Sequence, residues 1–278
     1  MIPRRAPAFR AARGLRPRLR AWALAVLLAA LLANCTAAPQ VGIREWPAYR
    51  GFLVPRPLLP IEASGSVLFE YRGDRQSGNV LAQGTAAGQF QLRLTSPVLG
   101  TTALEVRFDA RELLVVDLGA ESYFLGANST EHRLKLFSLD LTPEEFLMLL
   151  TARVPEPEFA RGGGRIEGNA AEFRAGPVTY RFALDESGLP AEWRKEVEGL
   201  PAWRVEYREY QDVPLGEGTL RLPRKVRVYA GDPQPRLVLG IGAFRLWQAD
   251  PTLAAFSFAP PPGMRFQGIG EGPTDHSR

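Results

Sequence analysis

Cys35 is the chain's single cysteine, and His132 and His276 are its two histidines. With one thiol, no intramolecular disulfide can form in any compartment. His132 has no second histidine or cysteine near it and His276 stands in a polar terminus, so neither is placed to ligate a metal. A serine triad would have to rest on His132 alone, and no Gly-x-Ser-x-Gly elbow presents a nucleophile. The glycine clusters at 162–164, 240–242 and 268–272 lack phosphate-loop spacing and read as turns. Glu144-Glu145 suits a helix start, where acids cap and meet the macrodipole, better than acid–base work. No catalytic residue, metal ligand or cofactor is assigned, and the chain does not read as an enzyme.

The surroundings of Cys35 are more informative. Seven arginines and no acid occupy residues 1–20, and the thirteen residues from Ala21 to Ala33 are all apolar. A basic start followed by a short apolar core is a secretory signal, too short for a comfortable membrane span of ~20 residues. Leu32-Ala33-Asn34-Cys35 resembles the bacterial lipobox, with Asn34 where Gly, Ala or Ser is usual. The resemblance implies that leader 1–34 is removed and that Cys35 carries the lipid. Thr36, in place of a retaining Asp, implies the outer membrane. An ordinary signal cut nearby would instead leave Cys35 a free thiol. Without the seven leader arginines the 34 basic residues become 27 against 30 acidic, a net charge near −3. The basic character belongs to the leader, and no nucleic-acid partner is expected.

Residues 35–62 hold five prolines and read as an anchor and extended tether, with Trp46, Phe52, Leu58 and Leu59 packing on the outside of the domain. The domain itself spans 63–267, and 268–278 is a polar, glycine-rich tail expected to be disordered. Within the domain, period-two alternation predominates. Phe90, Leu92 and Leu94 share one face, as do Leu104, Val106 and Phe108; Val178, Tyr180, Phe182 and Leu184; and Trp203, Val205 and Tyr207. Such alternation marks antiparallel strands with one wet and one buried face. Further strands are expected at 66–72, 79–86, 112–118, 120–125, 131–137, 165–174, 192–198 and 236–247. Thr142-Pro143-Glu144-Glu145 is a capping box with proline at the first helical position, which predicts one helix over 143–152; 155–164 reads as loop. The fold class is mainly β: a curved antiparallel sheet forming an incomplete barrel capped by one or more helices. One short helix cannot cover ten to twelve strands, so the sheet curls on itself, leaves apolar surface for a ligand, or both. A filled barrel and a cavity satisfy this pattern equally.

The segment Leu92–Val106, LRLTSPVLGTTALEV, resembles the LolA/LolB-like lipoprotein-localisation family, and LolB in particular, which has a strand, an Asn/Ser-Pro-Leu-Gly loop and a Thr/Ser-x-Leu-Glu-Leu strand there. Trp203–Tyr210 resembles the family's W-x-V-x-Y-x-x-Y strand, and Leu222-Pro223 opens a further matching one. The resemblance covers roughly 64–264. It implies an open barrel covered by helices, with an apolar cavity for acyl chains and a membrane-insertion loop at Pro97, Val98 and Leu99. The cavity lining is expected from Phe90, Leu92, Leu94, Leu104, Val106, Phe146, Leu150, Tyr180, Phe182, Trp203, Val205 and Tyr207. The implied function is a monomeric lipoprotein in the outer membrane, facing the periplasm, that receives acylated lipoproteins from a LolA-like carrier and inserts them into outer-membrane lipid. The alternative is a non-catalytic envelope lipoprotein acting as a protein-interaction or lipid-sensing module. One departure stands out: the family has two or more helices in its middle segment, whereas His132–Leu136 reads as strand here, which predicts a thinner cover.

Overall fold

The computed structural model describes residues 52–54, 60–85, 87–97, 99–215, 218–246 and 256–268. Leader 1–34, Cys35, most of the tether, Val98 and the tail beyond Gly268 lie outside the described residues. In chain order the elements are β1 (Leu53–Val54), β2 (Ile61–Tyr71), β3 (Asp74–Gly84), β4 (Phe90–Thr95), β5 (Thr102–Phe108), β6 (Glu112–Asp117), β7 (Ser122–Ala127), α1 (Thr130–Phe137) and α2 (Pro143–Thr151). There follow β8 (Val154–Pro155), α3 (Glu156–Arg161), β9 (Arg165–Glu167), β10 (Ala170–Ala175), β11 (Val178–Leu184), β12 (Pro190–Val197), β13 (Leu200–Leu215), β14 (Gly218–Tyr229), β15 (Leu237–Leu246) and β16 (Arg265–Phe266).

Among the described residues fourteen strands form one sheet, ordered β16-β7-β6-β5-β4-β3-β2-β15-β14-β13-β12-β11-β10-β9. The two ends do not pair, so the sheet is curved but not closed into a barrel. Its halves, β2–β7 and β9–β15, meet where β2 pairs antiparallel with β15. There the backbones approach so closely that a Cβ on Gly65 would overlap the Gly240 carbonyl oxygen, and the register shifts between Ile241 and Ala243. Glycine at 65 is thus a condition of the junction. Alternation does what the sequence predicts along β5, where Leu104, Val106 and Phe108 are buried between more exposed neighbours.

Among the described residues three helices lie against the sheet, two beyond the one that the capping box places. The expected strand at 131–137 is α1: Ser129 caps it by accepting from His132 N, and Arg133 and Leu136 are its buried face at a three-residue spacing. Leu134 and Leu136 alternate as they would in a strand, but the cap and the i, i+3 burial win. The Leu136 carbonyl accepts from Arg72 N at 2.9 Å, tying the end of α1 to β2. α2 begins with the expected capping box and Pro143 and ends with Ala152 in the left-handed region. The expected loop 155–164 contains the short α3, whose Phe159 is fully buried. Phe52 is a correction too. It is fully buried, its ring 4.8 Å from that of Phe182, and β1 pairs in parallel with β8. Trp46, Leu58 and Leu59 lie outside the described residues.

A buried ionic cluster pins α2 and its approach to the second half of the sheet. Lys195 Nζ lies 2.8 Å from Glu145 Oε1 and 3.3 Å from Asp140 Oδ2, and Lys195 and Glu145 are almost wholly buried. Tyr180 OH donates to Glu145 Oε1 at 2.7 Å and Thr142 N to Oε2 at 2.8 Å, while Trp203 Nε1 donates to the Asp140 carbonyl. Burial, and then the Glu145 carboxylate, push the Tyr180 hydroxyl well above its ordinary value. Burial would raise Asp140, but Lys195 and Arg133 outweigh it and hold the carboxyl below its ordinary value. A depressed carboxyl stabilises the fold above its unfolded pKa, and that share is lost as pH falls through the folded value. Asp140→Asn is therefore expected to flatten the acid limb of a stability–pH profile. Lys195→Met strands a buried carboxylate and is expected to cost about 3–5 kcal/mol in a denaturant titration.

Candidate functional site

The two halves of the sheet differ in side-chain volume on the concave face. From β10 to β13 that face carries Phe173, Tyr180, Phe182, Trp193, Trp203, Val205 and Tyr207, all nearly or fully buried. Their rings interlock: Phe173 and Tyr180 at 4.8 Å, Phe182 and Trp193 at 5.5 Å, Trp193 and Trp203 edge-on at 4.5 Å. This half is filled. On β2 and β3 the same face carries Ala63, Val67, Val80 and Ala82, which leave the space beneath the helices open.

That space is a cavity of about 120 Å³. Leu92 and Leu94 of β4, Val106 and Phe108 of β5, and Leu237, Leu239 and Ile241 of β15 continue its wall. Phe137 of α1, Leu139 and Leu141 of the connection, and Phe146 and Leu150 of α2 form its cover. Of the residues expected to line a cavity, Leu92, Leu94, Val106, Phe146 and Leu150 meet here. Phe90 and Leu104 are buried beside it, Phe90 stacked on Phe108 at 5.3 Å and edge-on to Phe146 at 5.7 Å. Tyr180, Phe182, Trp203, Val205 and Tyr207 do not line it, because they are packed into the aromatic half. Alternation assigned them a face correctly but could not tell a filled face from an open one. Ala63, Val67, Val80, Ala82 and the β15 residues escaped sequence reasoning. On β2 and β3 their signal was small or β-branched residues on one strand face where β10–β13 have rings, and on β15 it was the alternation of Leu237, Leu239 and Ile241.

Charged groups at the cavity are paired. Glu70 forms an ion pair with Arg236 Nη1 and accepts from Ser138 Oγ at 2.7 Å. The Ser138 hydroxyl, and then Arg236, hold its carboxyl below the ordinary range against burial. Arg133 reaches Asp140 at 2.6 Å and the Asn128 carbonyl at 2.7 Å. Ser64 is the one hydroxyl in the wall, and no histidine lines it. His132 Nδ1 lies 2.6 Å from the Ala127 carbonyl oxygen, and no group of three or more metal-type ligands occurs among the described residues. The arrangement suits burial of hydrocarbon, with no nucleophile or acid–base pair aimed into it.

The loop between β4 and β5 closes tightly, with Gly100 N donating to the Ser96 carbonyl and Leu99 N to Ser96 Oγ. Gly100 has φ of +68°, a conformation glycine adopts freely. Pro97 is exposed and Leu99 is 75% exposed; Val98, the third residue expected in an insertion loop, lies outside the described residues. No helix among the described residues is long and apolar enough to cross a membrane.

No family model matches the chain. Among curated proteins, the outer-membrane lipoprotein LolB of Vibrio campbellii is 28% identical over 225 residues, covering 80% of this chain and 96% of that protein. LolB of Vibrio parahaemolyticus matches to the same extent, 28% over 225 residues with the same coverage of both chains. Among solved structures, a LolA superfamily protein from Nitrosomonas europaea aligns with a TM-score of 0.44 and 12% identity, covering 73% of this chain and 92% of that one. The similarity is to lipoprotein-localisation proteins and not to an enzyme. The resemblance to the LolA/LolB-like family, first seen in short strand and loop motifs, thus extends over four fifths of this chain and nearly the whole length of the LolB proteins.

Proposed function

We propose that this chain is a lipid-anchored lipoprotein of the outer membrane, facing the periplasm, that takes acyl chains of lipoproteins into its cavity and passes them to the bilayer. One observation carries the reading: a chain similar in sequence to LolB holds a hydrocarbon-lined space under helices α1 and α2, its charged groups already paired. A dry cavity of 120 Å³ would cost roughly 3 kcal/mol at ~24 cal/mol per Å³. An acyl chain offsets that at about 0.8 kcal/mol per buried methylene. The space offers on the order of ten water-sized positions, which suits part of one acyl chain.

Transfer then needs no covalent step. An acylated cargo leaves a LolA-like carrier for this cavity when burial here is slightly better, and leaves in turn for the membrane. Cys35 would hold the domain at that membrane, since several acyl chains on one residue anchor almost irreversibly. Leu99, at the tip of a tight loop, would enter the bilayer and open a path for the cargo.

Three measurements test this. Mass spectrometry of an organic extract of the purified mature chain should find acyl lipids, and a fluorescent fatty acid should bind saturably. Ala82→Phe, which puts a ring into the cavity, should weaken that binding about tenfold or more while the fold stays intact. Neither lipid nor saturable binding would leave a protein-interaction module as the better reading. Leu99→Glu should keep acyl binding but stop delivery of a radiolabelled lipoprotein from carrier to outer-membrane vesicles. Normal delivery by that variant would remove the loop from the mechanism.

A further inference from the structure

Four large apolar side chains stand out in solvent among the described residues: Leu99, Leu134, Leu200 and Phe266. The topology gathers them at one end of the sheet. β4 runs up to the loop bearing Leu99, and β2 runs the same way to the Arg72-Gly73 turn, five residue pairs beyond the end of β4. β15, antiparallel to β2, starts at this end; β14 finishes there, and β13 starts there with Leu200. From β6 to β12 the register climbs steadily toward this end, the stagger that keeps hairpin tips of a tilted, curling sheet on one rim. Phe266 pairs beside Tyr123 at the start of β7, at the same end. Leu134 sits in the last turn of α1, whose Leu136 carbonyl is bound to Arg72 N. The opposite end, with turns at 85–89, 109–111 and 185–189, carries no exposed large apolar side chain among the described residues.

We infer that the β12–β13 turn at Leu200 is a second bilayer contact, which with Leu99 sets this rim of the sheet against the membrane. Leu200 is 71% exposed and follows the tight turn Glu198-Gly199, where both residues have positive φ. A leucine held out by so short a turn has only Val197, its cross-strand neighbour, beside it in the hairpin and stays largely in solvent. The apolar tips stand on separate hairpins with polar residues between them, so they offer no continuous patch to a shaped protein partner. A fluid hydrocarbon surface takes separate tips independently. Charge on the rim is mixed, with Arg72, Arg75 and Arg236 beside Asp74, Glu198 and Asp232, so the contact is apolar and not a basic patch seeking anionic lipid. The chain from Cys35 to Phe52 spans at most ~60 Å, so an anchor at its start fixes distance and not orientation. Two separate insertion points would fix the orientation.

The inference rests on the reading that the domain works at a bilayer, and the experiment separates the two. In the chain carrying Cys35→Ser and an amino-terminal histidine tag, Leu99→Cys, Leu200→Cys and Glu186→Cys each take an environment-sensitive fluorophore. The protein is tethered by the tag to phosphatidylethanolamine–phosphatidylglycerol vesicles containing a nickel-chelating lipid. Probes at 99 and 200 should brighten and shift to the blue, while the probe at 186, on the opposite end, should stay as in water. The response at 200 should persist when phosphatidylglycerol is left out. Without the tether, Leu200→Glu should lower vesicle partition about tenfold, the loss of one buried leucine. A response at 99 with none at 200 overturns the inference and leaves the bilayer reading standing. Silence at both positions overturns the two together. A response at 186 equal to the others, or one at 200 that requires phosphatidylglycerol, also overturns it.

Discussion

Side-chain volume on one face of a continuous sheet governs this molecule. Every strand from β2 to β15 offers inward positions, but β10–β13 carry a run of interlocked rings there, whereas mid-β2 and β3 carry Ala63, Val67, Val80 and Ala82. Interiors pack to crystal-like density, so the aromatic half closes on itself and excludes ligand. The other half cannot be filled by its own residues at the separation that α1 and α2 impose, and a cavity results. The β2–β15 junction holds both halves in one sheet, and Gly65 permits it, since a Cβ there would overlap the Gly240 carbonyl oxygen.

The cover over the cavity is held by apolar packing of α2, whose Phe146 to Leu150 are buried, and by polar contacts at its margins. The Lys195–Glu145–Asp140 cluster fixes the start of α2 over β11 and β12, and Ser138 and Arg72 fix the end of α1 over β2. Buried ionic groups add little net stability, but they specify a geometry, since a displaced helix would leave charges unpaired.

Much was legible along the chain where signals are local. The alternation that sets which side of each strand is wet and the capping box at Thr142 both depend on residues a few positions apart. The family resemblance was legible for the same reason, in contiguous motifs such as Leu92–Val106. The segment 131–137 was misread because Leu134 and Leu136 alternate while Ser129 caps, and both are local signals of opposite sense. Only packing on β2, with Arg133 and Leu136 turned inward, decided for helix.

The sequence by itself determined that the chain is largely antiparallel β with a helix capped at Thr142, because those properties follow from residue identity and short spacing. Tertiary structure alone decided which half of the sheet is filled, that Phe52 belongs to the core, and that Leu99 and Leu200, a hundred residues apart, stand on one rim. Each of these is a sum over strands distant in sequence, and neither periodicity nor composition carries the volume left between them.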